Sequence, residues 1–159
     1  LDKWAVHLGG GLTHRLTRND ALMIKENDLA SMDDSSLEND KKIAHIIQTL
    51  ELDDISSFIE IEVRNEKEAI TAAAVWQQTH ENSEIKLVVM LDNFGPERCK
   101  DVVKQLEDMG LREAVILEAS GNITFEKLGE WFECGVDVLS TSAINRGVKP
   151  LDISMIIGD

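Results

Sequence analysis

The chain is poor in cysteine, with Cys99 and Cys134 its only two in 159 residues. An isolated pair in a chain of this size is no disulfide framework, and the expectation is a protein of the reducing cytoplasm. Basic residues are scarce as well. Lys and Arg number 16 against 30 Asp and Glu, a formal net charge of −14, which disfavours nonspecific attraction to nucleic acid or anionic lipid. No apolar run approaches the roughly 18–20 residues that span a bilayer. The N-terminus lacks the charged-then-apolar layout of a signal peptide, and neither a low-complexity tract nor a dividing linker interrupts the chain. Nucleic acid and membrane are therefore not expected partners. An anionic substrate stays open, because a site needs only a few local cations while net charge averages over distant surface.

What the chain does have is a core: 43% of it is hydrophobic, enough for one domain of this length. From Phe58 onward a short Ile/Val-rich run, a turn and about ten residues of helical periodicity recur. Strands are predicted over 22–25, 58–63, 87–91, 114–117, 136–139 and 153–156. Helices are predicted over 41–50, 67–78, 96–109 and 124–133, with a polar, acidic loop over 31–40; Pro96 suits a first helical turn and Thr124 an N-cap. A further helical stretch runs through Trp4, Ala5 and Val6. Parallel strands with helical crossovers leave two architectures, an open doubly wound sheet or a closed barrel, and periodicity does not separate them.

Polar residues gather at the predicted strand ends. In Phe58-Ile59-Glu60-Ile61-Glu62-Val63 the period of two puts both carboxylates on one face and the apolar side chains on the other. A carboxylate inside a barrel is costly unless it meets a cation, a donor or water, so Glu62, nearer the strand's C-terminal end, is the better site candidate. Asp92 and Asn93, Glu118 and Ser120, and Ser140, Thr141 and Ser142 follow later strands at the same level. In β/α barrels that face carries the active site. Glu62 and Asp92 suit a hard cation such as Mg²⁺, which takes oxygen ligands; the alternative is that such residues cap helices and turns. Ser120-Gly121-Asn122 and the Ser142 loop are small enough for backbone N–H groups to approach a phosphate, which is also ordinary turn chemistry.

Gly9-Gly10-Gly11 precede Leu12, Thr13, His14 and Arg15, a turn that presents an imidazole and a guanidinium. The pair can clamp carboxylates; equally, the glycines are a helix C-cap and the pair is solvated. No strand precedes the glycines, so this is not a dinucleotide-binding fingerprint. Lys25 closes a predicted strand, where it either joins the site or snorkels. His7, His45 and His80 lack metal-ligand spacing, with each other and with the cysteines.

Taken in order, Gly9-Gly10-Gly11-x-x-His14-Arg15, Met23-Ile24-Lys25-Glu26-Asn27, Glu60-Ile61-Glu62-Val63, Leu91-Asp92-Asn93-Phe94, Glu118-Ala119-Ser120-Gly121 and Gly135-Val136-Asp137 resemble the quinolinate phosphoribosyltransferase family. The resemblance covers nearly the whole chain. It implies an α/β fold, an incomplete TIM-like barrel of parallel strands that in the family stands beside an N-terminal sandwich domain within a dimer. On this basis residues 1–159 are expected to form most of the catalytic barrel domain, without the sandwich domain and the first barrel strand. The implied reaction joins quinolinate to phosphoribosyl pyrophosphate with Mg²⁺, giving nicotinate mononucleotide, pyrophosphate and CO₂ in NAD biosynthesis.

By position, the resemblance implies that His14, Arg15 and Lys25 hold the carboxylates of quinolinate. Glu62 and Asp92 would bind the metal and the ribose hydroxyls, with Lys25, Glu62 and Asp92 as catalytic residues. Ser120, Gly121, Ser142 and Arg146 would receive the 5′-phosphate. Two departures stand out. The chain starts at Leu1, after the place where the family carries an Arg-Lys-Thr-x-Pro-Gly segment, so a fragment or processed product, inactive alone, is expected. The family also has a glycine at the place of Ser142 and Thr-His-Ser over Asn145, Arg146 and Gly147, where Arg146 would replace the histidine. The other readings are a ModD-like relative with another pyridine acceptor, which Lys25 and Asn27 disfavour, and a noncatalytic dimerisation or binding module.

Overall fold

A computed structural model describes residues 2–17, 20–32, 36–52, 57–144, 146 and 152–157. The expectation attached to Asn145 and Gly147 lies outside these residues. Among them the strands are β1 (Leu22–Ile24), β2 (Phe58–Val63), β3 (Lys86–Asp92), β4 (Ile116–Ser120) and β5 (Val138–Ser140). They form a single parallel sheet in the order β1-β2-β3-β4-β5. A doubly wound sheet would reverse its strand order at a switch point and carry helices on both faces. Sequential order with helices on one face is instead an arc of a β/α barrel.

Alternation within the strands dictates this layering. Ile59, Ile61 and Val63 of β2, with Leu87, Val89 and Leu91 of β3, are completely buried and belong to one apolar cluster. That cluster is completed by Ile43 and Ile47 from α3 (Asn39–Thr49), Ala69, Ala72, Ala73 and Trp76 from α4 (Glu66–His80), and Cys99, Val102 and Leu106 from α5 (Pro96–Asp108). The three alanines let α4 approach the sheet closely. The opposite, inner face carries Glu60, Glu62, Val88, Met90, Asp92, Glu118 and Ser120, since residues paired across parallel strands share a face and Glu60 pairs with Val88, Met90 with Glu118 and Asp92 with Ser120.

The helix starts fix the strand ends. Asn65 caps α4 by accepting from the Glu68 N–H at 2.9 Å, and the Glu68 carboxylate accepts from the Arg64 N–H at 2.8 Å. Gly95, at φ 76°, turns the chain into α5, which Pro96 opens. Arg98 lies over the Phe94 ring at 4.2 Å and donates to Glu66 at 2.8 Å, tying the two loops together. Ahead of β5, Asp137 accepts from the Leu117 N–H and from Arg112, each at 2.8 Å. Asp137 of the Gly135-Val136-Asp137 motif thus serves strand pairing. Both cysteines are buried and free, and burial pushes the Cys99 thiol up to about 12, where it is inert.

Several expectations need correction. Residues 152–157 form no strand and are exposed; an extended run becomes a strand only by pairing, and among the described residues none pairs with it. The helix predicted over 124–133 is a 3-10 helix, Phe125–Trp131, since Gly129 weakens the α-helical alternative. The strand predicted to begin at Ala114 starts two residues later, behind a 3-10 turn at Arg112–Ala114. Strand β3 extends through Asp92, and Lys25 leaves β1 to precede α2 (Glu26–Ala30), a short helix not foreseen, whose Asp28 accepts from the Lys25 N–H at 2.8 Å.

Ile61→Ala should destabilise the fold by about 2–5 kcal/mol, the usual cost of a large-to-small change in a packed core. Ile156→Ala, at a side chain 91% exposed, should stay within about 0.5 kcal/mol. Paired urea denaturation curves check both.

Candidate active site

Helix α1 (Asp2–Leu8) ends on the three glycines. Gly9 and Gly11 donate to the carbonyls of Ala5 and Val6 at 3.0 and 2.9 Å, and Gly10 takes φ 86°. This is the C-cap reading of the motif. It turns the chain so that the following residues run back along the inner face of the sheet, and His14 reaches β2. The His14 Nε2 lies 2.6 Å from Glu60 Oε2, and the imidazole meets the edge of Phe58 at 5.7 Å, nearly perpendicular.

Glu60 is completely buried, and its second oxygen, Oε1, has no hydrogen-bond partner among the described residues. Glu118, 3% exposed, lies beside this pair: one ligand atom each from His14, Glu60 and Glu118 lies within 4.8 Å of the others. The hydrogen bond to Glu60 holds His14 above its ordinary pKa, against a burial that opposes its charge. Burial raises the Glu118 carboxyl, which donation from the Ser140 hydroxyl opposes and the nearby Glu60 charge reinforces. Two acids and one imidazole thus share a partly dry patch under the sheet's C-terminal rim.

One step closer to that rim, Lys25 Nζ sits 2.7 Å from Glu62 Oε2, and Arg64 adds a guanidinium 3.9 Å from the other oxygen. Lys25 is therefore engaged at the mouth rather than snorkelling. Asp92 and Ser120 are register partners at the ends of β3 and β4. Asn93, at φ 57°, donates to Asp92 at 2.8 Å, accepts from Asn122 at 3.1 Å, and its N–H donates to the Ser120 carbonyl at 2.9 Å. Gly121, at φ 100°, faces Asn93 so closely that a Cβ would overlap the Asn93 amide. Small size here is thus required by loop-to-loop packing, whatever the loops bind.

The fold brings His14, Lys25, Glu62, Asp92, Ser120 and Gly121 to the inner face and rim. Arg15 sits lower, donating to the Ala21 carbonyl at 3.0 Å and to Met23 Sδ at 3.5 Å. Because Met23 pairs with Glu60, Arg15 remains beside His14, with donors to spare. Ser142 opens a turn in which the Arg146 N–H donates to its carbonyl at 2.9 Å, and both residues are exposed; among the described residues no side-chain bond joins Arg146 to the other candidates. Glu60 and Glu118 were ranked behind Glu62 or left out of the candidate set. Their alternation with Glu62 and Ser120 was the available signal, but the histidine that makes a buried Glu60 tolerable lies 46 residues away.

A parallel sheet of barrel type whose C-terminal rim gathers lysine, carboxylates and glycine-bearing loops defines a β/α-barrel domain. Within that class, residues 1–156 match the family described as quinolinate phosphoribosyl transferase, C-terminal domain, and the chain belongs to that family. It is 35% identical over 97% of its length to a probable nicotinate-nucleotide pyrophosphorylase (carboxylating) of Archaeoglobus fulgidus, of which it covers 52%. It is 33% identical over 98% of its length to quinolinate phosphoribosyltransferase (decarboxylating) 1b of Nicotiana tabacum, covering 43% of that protein. The solved nicotinate-nucleotide pyrophosphorylase of Francisella tularensis superposes with a TM-score of 0.66 at 32% identity, over 92% of this chain and 44% of that one. The chain spans about half the length of the curated relatives it matches.

Gly121→Ala should cost about 1–3 kcal/mol, the scale of a strained left-handed residue, because both the φ and the Asn93 contact oppose a Cβ. Gly129→Ala, whose Cβ would meet nothing within 4 Å, should be neutral or slightly stabilising; urea denaturation of the two variants separates them. For Glu118 the folded-state pKa is raised, so its contribution favours the fold below the ordinary carboxyl value near 4.5 and is lost as pH rises through the raised one. Glu118→Gln should therefore gain stability relative to the unsubstituted chain as pH rises above the ordinary carboxyl value, read from melting curves along that rise.

Proposed function

We propose that this chain supplies the catalytic barrel of an enzyme that transfers the phosphoribosyl group of phosphoribosyl pyrophosphate to quinolinate with decarboxylation. The products would be nicotinate mononucleotide, pyrophosphate and CO₂, the step that feeds NAD biosynthesis. The observation that carries this reading is the split of the inner face into two zones: His14 and Arg15 beside the lower end, and Lys25, Glu62, Asp92 and Ser120 at the rim. A pyridine dicarboxylate and a phosphorylated sugar need cations and hydroxyl-binding carboxylates side by side, with Lys25 standing where the two zones meet.

In this reading His14, Arg15 and Lys25 bind the two quinolinate carboxylates, Arg15 through guanidinium donors left over from Ala21 and Met23. The pyridine nitrogen is thereby aimed at the ribose carbon that carries pyrophosphate. Glu62 and Asp92 contact the ribose hydroxyls and stabilise the cationic character that the ribose develops as the leaving group departs. Ser120, Gly121, Ser142 and Arg146 receive the 5′-phosphate. Once the nitrogen is quaternary, the carbon–carbon bond to the adjacent carboxylate breaks. The bonding electron pair stays on the ring carbon, stabilised by the adjacent positive nitrogen, as CO₂ leaves, and a proton then adds to that carbon.

Two carboxylates on one face at the ends of adjacent strands offer the hard oxygen donors that Mg²⁺ prefers, so Glu62 and Asp92 fit that ion; Glu62 would exchange its pairing with Lys25 for it. Bound with the donor, the ion would neutralise the leaving pyrophosphate. A homodimer or higher homo-oligomer belongs to the same reading, supported by exposed Trp4, Leu8, Leu12 and Leu16 around α1.

Calorimetric titration of the protein in its full native length tests the reading. Quinolinate should bind more tightly than nicotinate, and Arg15→Ala should weaken quinolinate by about tenfold or more, with phosphoribosyl pyrophosphate and Mg²⁺ needed for turnover and CO₂ release. Absence of binding for either pyridine would overturn it in favour of a ModD-like acceptor or a noncatalytic module.

A further inference from the structure

The buried carboxylate of Glu60 has no place in the substrate contacts described above. A fully buried glutamate with one oxygen unpartnered is costly, and it stands against the one imidazole of the inner face. The bond is made through Nε2, which leaves Nδ1 as the ring nitrogen that can donate to another group. The ring is further held by its edge contact with Phe58. We propose that Glu60 is a positioning residue for anion capture: it fixes the His14 ring through Nε2 and so commits Nδ1–H to a carboxylate of the incoming pyridine. The proposal rests on the reading of His14 as a carboxylate ligand.

The electrostatics agree in direction. The charged groups facing His14 are Glu60 from β2, Glu118 from β4 and Lys3 from α1. Both carboxylates favour the imidazolium, and Lys3 opposes it. Lys3 is itself drawn toward the Arg15 carbonyl. Glu118 is raised toward its neutral form by burial and by Glu60. A histidine without Glu60 would lose its charge at lower pH and turn freely between two donor orientations. The paired ring offers one orientation and one charge, which is the preorganisation that anion binding rewards. The opposing role for the same contact has Glu60 occupying the place of the substrate carboxylate, to be displaced when substrate binds. The two roles predict opposite signs.

The experiment uses the protein at its full native length and ¹⁵N-resolved spectra of the histidine ring. Without ligand, Nε2 of His14 should carry a proton in a hydrogen bond that disappears in Glu60→Ala. On addition of quinolinate to the unsubstituted protein, the Nδ1 signal should move and the Nε2 signal should stay. Glu60→Gln keeps the acceptor but removes the charge. It should weaken quinolinate by about tenfold and shift the loss of binding to lower pH, because binding through the imidazolium persists until pH rises through the His14 pKa. Glu60→Ala should weaken binding further, Gln acting as a partial rescue. Equal or tighter binding by Glu60→Gln, or displacement of the Nε2 signal by quinolinate, would overturn the proposal in favour of the displaced-anion role. The wild-type spectra decide the point even where a variant fails to fold. An Nε2 without a hydrogen bond in the ligand-free protein defeats this proposal alone, whereas failure of the unsubstituted protein to bind quinolinate defeats the functional reading beneath it.

Discussion

The hydrogen bond between His14 and Glu60 is the interaction on which the inner face depends. A parallel sheet covered by helices on one side can carry polar residues on the other only where each finds a partner or reaches water. In β2 and β4 the alternation places Glu60 and Glu118 beneath the rim, where burial is nearly complete. Bringing His14 to Glu60 offsets that cost and at the same time anchors the segment after α1 to the sheet. The glycine turn, the path of residues 12–17 and the position of Arg15 beside Met23 all follow from that anchor.

The apolar face is the counterweight. Ile59, Ile61, Val63, Leu87, Val89 and Leu91 meet α3, α4 and α5 without a polar intruder, and the hydrophobic contribution of that face lets the inner face be spent on function. The N-cap at Asn65 and the Arg98 bridge to Glu66 and Phe94 sit where β2 and β3 hand over to their helices. They hold the rim loops on rigid elements, which is what a site of several strand ends requires. The Asn93, Asn122 and Gly121 cluster does the same between β3 and β4.

Membership of the quinolinate phosphoribosyl transferase C-terminal family fits this division of labour. The chain spans about half of its curated relatives' length, and the rim it builds already contains a lysine–glutamate pair, an aspartate and small loops in register. No helix among the described residues is long and apolar enough to cross a membrane, in line with the absence of an apolar run of that length in the sequence.

Much was decided by local pattern. The alternation in 58–63 is reproduced residue for residue by β2, and α4 and α5 start within a residue of where periodicity and Pro96 put them, because these signals are properties of neighbours in the chain. The rim residues Lys25, Glu62, Asp92, Ser120 and Gly121 were legible for the same reason, as polar or small residues at the ends of apolar runs. What the chain could not disclose on its own was any fact requiring a distant partner. The run 153–156 has strand-like composition yet stays unpaired, the barrel arc rather than a doubly wound sheet emerges from strand order, and Glu60 rather than Glu62 lies deepest because His14, far away in sequence, folds onto it. Pairing, layer order and the tolerance of a buried charge are long-range outcomes, fixed only when the sheet closes over its partners.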